Sequence, residues 1–499
     1  MKSLSYAQSF KRILGFAALG ALAGAAPLAQ AQNFESYYGE KPTPDAGQDI
    51  KSVRYCPGEG SILVGTRRNG NLTEAQVTRV DNNGVPIWQN VYHVANNVYT
   101  TANAVVEATP DGTTANPGGF AVTGAVGIGT ESIYVLRLNC DGKVVWTTVL
   151  RNQSSLNRAT GYDIIESRNP SPSPAPTAVF DFVVAGEEIL PDAIGTTHGR
   201  LARLNAAGGQ IWNTAYIRLG TLPGLRFRAL TENLALSGAN TDLVVAGSAA
   251  AAANWVNDRR ALIFRTTGAG IPVCNNTLGR VDAINEDYFG ITALRQPQFN
   301  GNNVLVGSVG GNATGAVAQQ VYMTRFATGN CAAVVQAVWR DVQDNAVAYD
   351  AVEAPITATA VAGVRATGTI SGAITAGDGF LLNANPANLG PIVAQFRYST
   401  QSQRHENLQA IDNKKDRYVM LGATLTDWDG VGDPSDFYMV QTDPNGKTQC
   451  VREWLVDWSP VQQPQERFEQ QLKQLPSSQV ATEVKSVTDW GYCCAWAPN

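Results

Sequence analysis

Seven times along the chain an apolar run stops at a glycine: "ILVGTR" at Gly65, "FAVTGAV" at Gly124, "DFVVAGEE" at Gly186, "LVVAGSA" at Gly247, "VLVGSVG" at Gly307, "ATAVAGV" at Gly363 and "YVMLGAT" at Gly422. Neighbouring glycines lie about 56 to 62 residues apart, and a fixed period of this length marks a repeat architecture. A chain of 499 residues would otherwise suggest several independent domains. The period replaces that expectation with one body built from equivalent units.

The content of one unit is legible. Upstream of each glycine lies an alternating segment: "DIKSVRY" from Asp49, "ANAVVEA" from Ala102, "GYDIIES" from Gly161, "FRALTEN" from Phe227, "YFGITAL" from Tyr288, "AYDAVEA" from Ala348 and "ENLQAID" from Glu406. Period-two alternation predicts a half-buried strand, and the run ending in glycine, apolar on both sides, predicts an inner strand covered on both faces. The glycine predicts a close backbone approach that a side chain would block. A third segment such as "AQVTRVD" or "GRLARLN" follows, then a turn such as "DNNG" or "DPNG", then a strand such as "VPIWQNVY" or "KVVWTTVL". Asn-Gly and Asp-Gly turns tolerate positive φ and make tight hairpins. Four antiparallel strands repeated seven times predict an all-β chain, a seven-bladed β-propeller over residues 49–458, with each glycine-ended strand near a central channel.

Recurrent side chains fit a scaffold. Arg79, Arg137, Arg203, Arg265 and Arg325 recur on the third strands, replaced by Asn383 and Gln441 in blades six and seven. Regular recurrence reads as a structural ion pair or backbone contact. Trp88, Trp146 and Trp212 on fourth strands read as packing between blades.

The flanks are less regular. Residues 1–31 read as a signal peptide: Lys2, Lys11 and Arg12 precede "ILGFAALGALAGAA", and "AQA" at Ala29–Ala31 supplies a small-residue cleavage site. The run is too short and too rich in Gly and Ala for a membrane span. Residues 32–48 read as a closing strand around "NFESYYGEK", but "QCVREWLVDW" from Gln449 competes for the same blade edge. One of the two would add a fifth strand or pair with another molecule. Residues 459–499 read as an appendage, with a short helix over Pro464–Leu475 and a tail holding Cys493 and Cys494.

Composition narrows the compartment and the partners. Lys and Arg total 37 against 42 Asp and Glu. Removing the three basic residues of the leader leaves about 34 against 42, or about −8. An acidic exported protein is a poor match for nucleic acid. Seven cysteines in such a chain predict disulfides with one thiol left over.

Together the apolar "VxG" strand, the "DxxLxRxxxxG"-like strand and turn, and the Trp strand resemble the exported bacterial β-propeller repeats of the SBBP and delta-sixty type. The match covers residues 49–456 and is weakest in blade six, which lacks both Arg and Trp. The resemblance implies export and a propeller fold, and no particular activity. "NCDGKVVW" and "NAAGGQIW" also resemble the tryptophan-docking motif of quinoprotein propellers, whose repeats are shorter.

Chemistry-bearing residues are few. "DWDGVGDPSD" places Asp427, Asp429, Asp433 and Asp436 in a glycine-turned loop of blade seven. Alternating carboxylates of this kind suit Ca²⁺, which takes six to eight oxygen ligands; a solvated acidic loop is the alternative. Cys493 and Cys494 echo the vicinal disulfide of some quinone-dependent dehydrogenases, but their place outside the blades suits a tie to the ring through Cys56 or Cys450. Cys274 and Cys331 lie in adjacent blades and are a candidate pair. His93, His198 and His405 fall at unrelated repeat positions, and there is no "GxSxG". Glu187, Glu188 and the first-strand acids could meet at a channel mouth, without an assigned acid or base. The sequence therefore predicts an exported binding or scaffold protein of the periplasm, cell surface or matrix of a Gram-negative-type bacterium, with protein or glycan partners and self-association through edge strands. A glycan-processing enzyme using the funnel and an envelope assembly factor are the alternatives.

Overall fold

A computed structural model gives the architecture. It describes residues 33–492 except for connecting segments, among them 168–179, 234–241, 251–258, 311–318, 355–362 and 425–434; from residue 449 onward only strand backbones are described. The expected seven-bladed propeller is present: seven antiparallel sheets stand in a ring, six of them with four consecutive strands as neighbours and the seventh with three. Blade three is representative, with strands Arg158–Ser167, Asp181–Ile189, Thr197–Leu204 and Gln210–Arg218 from hub to rim.

The core is divided among the blade interfaces. The second strands are buried along nearly their whole length, as in Gly119–Val126 and Asp242–Ala250, because both sheet faces meet a neighbouring sheet. Between blades three and four, Val183, Ala185, Trp212 and Tyr216 pack on Leu225, Phe227, Val245 and Phe264. Each of the seven buried clusters straddles two neighbouring blades in this way. Stability therefore accumulates as nearest-neighbour contacts, as in other repeat folds.

The rim of each interface is fastened by hydrogen bonds to the next blade's hairpin turn. Trp88 Nε1 donates to the Cys140 carbonyl at 3.0 Å and Trp146 Nε1 to that of Ala206 at 3.0 Å. Arg79, Arg203, Arg265 and Arg325 donate to Cys140, Gly268, Gly329 and Ala387 carbonyls. Four of the recurrent arginines are thus backbone contacts between blades, two of them, Arg203 and Arg265, also pairing with Asp181 and Asp242. Arg137 donates instead to the Gly118 and Phe120 carbonyls of its own blade. Blade six keeps the cation but moves it: Arg365 on the second strand lies opposite Asn383 and over the Tyr418 ring. The glycine of this blade is also displaced from its expected place. Gly368, and not Gly363, occupies the repeat position, since a Cβ there would overlap the Val347 carbonyl oxygen as one at Gly247 would overlap that of Arg226.

Ring closure resolves the competition at blade seven. Phe34–Tyr38 is its fourth strand, paired antiparallel with Asp436–Gln441, Tyr37 opposite Tyr438. Tyr38 donates to the Gly84 carbonyl of blade one at 2.7 Å. Glu35 is fully buried there and accepts hydrogen bonds from Tyr438 and Thr448. The rival segment goes elsewhere. Arg452–Trp454 adds a fifth strand to blade six, and Asp457–Pro460 adds one to blade five.

The chain then continues around the outside of the ring in reverse order. Gln465–Glu466 joins blade four, Gln470–Gln474 blade three, Ser477–Gln479 blade two, Thr482–Ser486 blade one and Trp490–Tyr492 blade seven. The helix expected over Pro464–Leu475 is replaced by two of these strands, because the free backbone edges of blades four and three offer partners that outweigh local propensity. The tail thus occupies the outer edge of every blade.

Candidate functional site

The hub is built from the first strands, and it owes its shape to a repeated bulge. In six blades the first strand carries one extra residue opposite the second strand: Gln48, Tyr162, Arg228, Phe289, Tyr349 and Gln409 each sit at such a register break. Asn103 holds the equivalent place just before the shorter strand Ala104–Ala108 of blade two, its N–H donating to the Thr123 carbonyl. A bulge bends its strand and re-aims the extra side chain. All seven side chains line the same central channel, a polar cavity of about 410 Å³. The bulge also explains the recurrent glycine. It presses the preceding carbonyl against the second strand, as Thr160 does at Gly186, where no Cβ fits.

Directly after the bulge, three blades place an aspartate that ties two blades together. Asp49 accepts the Ile50 N–H at 2.8 Å and the Val105 N–H of blade two at 2.8 Å. Asp163 accepts those of Ile164 and Leu230, and Asp350 those of Ala351 and Ile411. One turn further along the channel, Lys51 Nζ lies 2.9 Å from Asp49 Oδ1, and Asp412 accepts the Ser52 N–H at 2.7 Å. Burial would lower the Lys51 pKa, but the charges of Asp49, Asp350 and Asp412 outweigh it and raise it. Burial raises Asp163 to about 6 and Asp350 to about 7, with Lys51 opposing and the Asp49 charge assisting the rise. The channel floor is therefore an ammonium ion among carboxyl groups. Among the described residues no group of three His, Cys, Asp or Glu side chains is placed to hold a metal ion.

A charged cluster borders the channel at blades three to five. It lies on the face where first strands begin and second strands end. Glu187 accepts a hydrogen bond from Tyr162 and pairs with Arg226 at 2.7 Å. Asp287 pairs with Arg259 at 2.8 Å. Arg228 lies over the Tyr162 ring, 3.9 Å from its centroid. Next around the ring, Phe289 and Tyr349 pack with centroids 5.4 Å apart. Glu188 faces away from this group; it is buried against Arg200 Nη1 at 2.7 Å and Asn157 Nδ2 at 2.7 Å. Glu187 and Glu188 thus form no carboxylate pair.

The sequence-predicted site residues are placed as follows. Asp427, Asp429 and Asp433 lie outside the described residues, while Asp436 opens the third strand of blade seven. Cys274 and Cys331 form a disulfide between blades four and five. Cys56 is joined to Cys140, linking blades one and two, and so does not tie the tail to the ring. Cys140 sits in the hairpin turn of blade two, within reach of Cys56 because blades one and two stack side by side. Cys450, Cys493 and Cys494 lie outside the described residues, as does the leader. The bulge ring escaped sequence reading because its members share a position and no chemistry. Aligning the first strands on the residue before the aspartate, alanine or glycine would have found it.

No known protein family matches the chain, and no curated protein matches it. Among solved structures, an α-L-arabinofuranosidase from Fusarium graminearum, solved with an iminosugar inhibitor, is similar at 11% identity and a TM-score of 0.36, covering 68% of this chain and 93% of that one. A likeness of this size carries no argument about chemistry. Two disulfides are compatible with an oxidising compartment, and among the described residues no helix is long and apolar enough to cross a membrane.

Proposed function

We propose that the protein is an exported, non-catalytic binding protein that takes a glycan at the mouth of its central channel. The observation that supports this reading best is how the channel's carboxylates are used. Asp49, Asp163 and Asp350 each accept backbone N–H groups from two blades, which commits both oxygens of each carboxyl group to the scaffold. Above them the bulge ring offers amides, aromatic faces and a guanidinium around a polar cavity, the mixture a binding site uses to orient a polar ligand. The resemblance to exported bacterial propeller repeats agrees with a periplasmic, surface or matrix location.

The enzymatic alternative keeps one supporting observation: Asp350, raised to about 7, lies in the range of a general acid. Assembly by strand addition finds no such support, since the chain's own tail takes the blade edges. Titration of the mature protein with a panel of oligosaccharides tests the reading. One-to-one binding is expected, weakened about three- to tenfold in Phe289→Ala and in Tyr349→Ala, with every oligosaccharide recovered intact. Released products would overturn the non-catalytic reading, and a panel without a binder would overturn the site. The acidic loop of Asp427, Asp429, Asp433 and Asp436 is proposed to hold Ca²⁺. A melting temperature that stays fixed as millimolar Ca²⁺ is added to the same preparation removes that part.

A further inference from the structure

We infer that the channel mouth recognises a carboxylated sugar, a uronic-acid residue of a glycan, through Arg228. The inference rests on the binding reading above and names its ligand class. Of the seven ring side chains, Arg228 alone is charged. It forms no ion pair among the described residues; it hydrogen-bonds the Tyr162 side chain. Burial lowers its pKa, but the charges of Tyr162, Glu187 and Asp287 outweigh that and raise it. Those carboxylates are already taken: Glu187 by Tyr162 and Arg226, Asp287 by Arg259. The Arg228 guanidinium carbon lies over the Tyr162 ring, 3.9 Å from its centroid, and its Nε is buried without a hydrogen bond. A stacked guanidinium keeps its donors in a fixed fork, the geometry that meets a carboxylate with two parallel bonds.

The neighbours of Arg228 in the ring complete the match. Phe289 and Tyr349 give an apolar wall for the face of a sugar ring. The side-chain amides of Gln48, Asn103 and Gln409 can donate to and accept from hydroxyls. Below the ring stand Asp49, Asp163, Asp350 and Asp412 against the single ammonium of Lys51. The members of this floor that stay ionised repel anions, less so where Asp163 and Asp350 hold protons near neutral pH, so a ligand carboxylate is best seated at Arg228 with its hydroxyls turned inward. A doubly charged phosphate or a dense polyanion meets the same repulsion with more charge.

The test uses the mature protein with oligogalacturonate, oligoglucuronate, the same oligomers with carboxyls reduced to alcohols, and inorganic phosphate. An acidic oligomer is expected to bind at least about tenfold more tightly than its reduced form, and added salt should narrow the gap. Arg228→Gln should remove that preference, and Arg228→Lys should keep part of it. Should Arg228→Gln not fold, the reduced-against-acidic ratio in Arg228→Lys decides. Equal binding of both forms, with Phe289→Ala weakening both, would leave a neutral-glycan site and overturn the carboxylate. Failure of every oligomer would overturn both readings, as would binding of phosphate alone.

Discussion

Asp350 answers to opposed demands. Its two oxygens accept N–H groups from Ala351 and Ile411, which favours the ionised form, yet burial raises its pKa to about 7; Asp163, in the same position of blade three, rises to about 6. From about pH 4 to pH 7 the folded protein therefore holds protons that the unfolded chain has released. Stability is expected to fall as pH rises through that window and to level off above it. Denaturant titrations between pH 5 and pH 8 check the slope. Asp350→Asn should flatten the slope and also cost about 1–2 kcal/mol at pH 5, because an amide can accept only one of the two backbone donors. A slope untouched by the substitution would place the coupled proton on another group.

At the scale of the strand, the glycine-ended ribbon and the bulged first strand form one device. The bulge pushes a carbonyl where a Cβ would be, so the glycine follows from hub geometry. Gly368→Ala should lower stability by more than about 2 kcal/mol, whereas Gly363→Ala, whose new methyl meets mainly the movable ends of Ile392 and Arg365, should cost clearly less. Thermal melts of the two variants decide whether blade six follows the rule of the others. Comparable losses would show that the blade is built differently. The repeat and its fourfold strands were legible in sequence because alternation, apolar runs and Asn-Gly or Asp-Gly turns are local signals. Blade six misled because "ATAVAGV" imitates the motif five residues early, and because its arginine sits on the facing strand. The outer strands were illegible for another reason. A strand two to five residues long, docked by backbone onto an existing edge, needs no hydrophobic alternation, and "ERFEQQLKQL" favours a helix when read alone. The bulge ring was equally hidden, since Gln48, Arg228 and Phe289 share only a place.

For the whole molecule, the seven clusters between blades make a ring of equal joints, two of them cross-linked by Cys56–Cys140 and Cys274–Cys331. The tail adds a second circuit in the opposite sense. Deleting residues 452–499 would leave the four-stranded blades intact while baring seven backbone edges. The shortened protein is expected to melt several degrees lower and to self-associate, which calorimetry and light scattering would detect. A monodisperse product with an unchanged melt would show that the outer circuit is dispensable. The same circuit bears on where such a ring comes apart. Phe34–Tyr38 is flanked by Asp436–Gln441 on one side and Trp490–Tyr492 on the other. The join of the hoop is therefore stitched along both flanks, and prising it open means unpicking two rows of bonds at once. Blade seven, the one sheet whose inner four strands come from distant parts of the chain, need not be the place where unfolding starts.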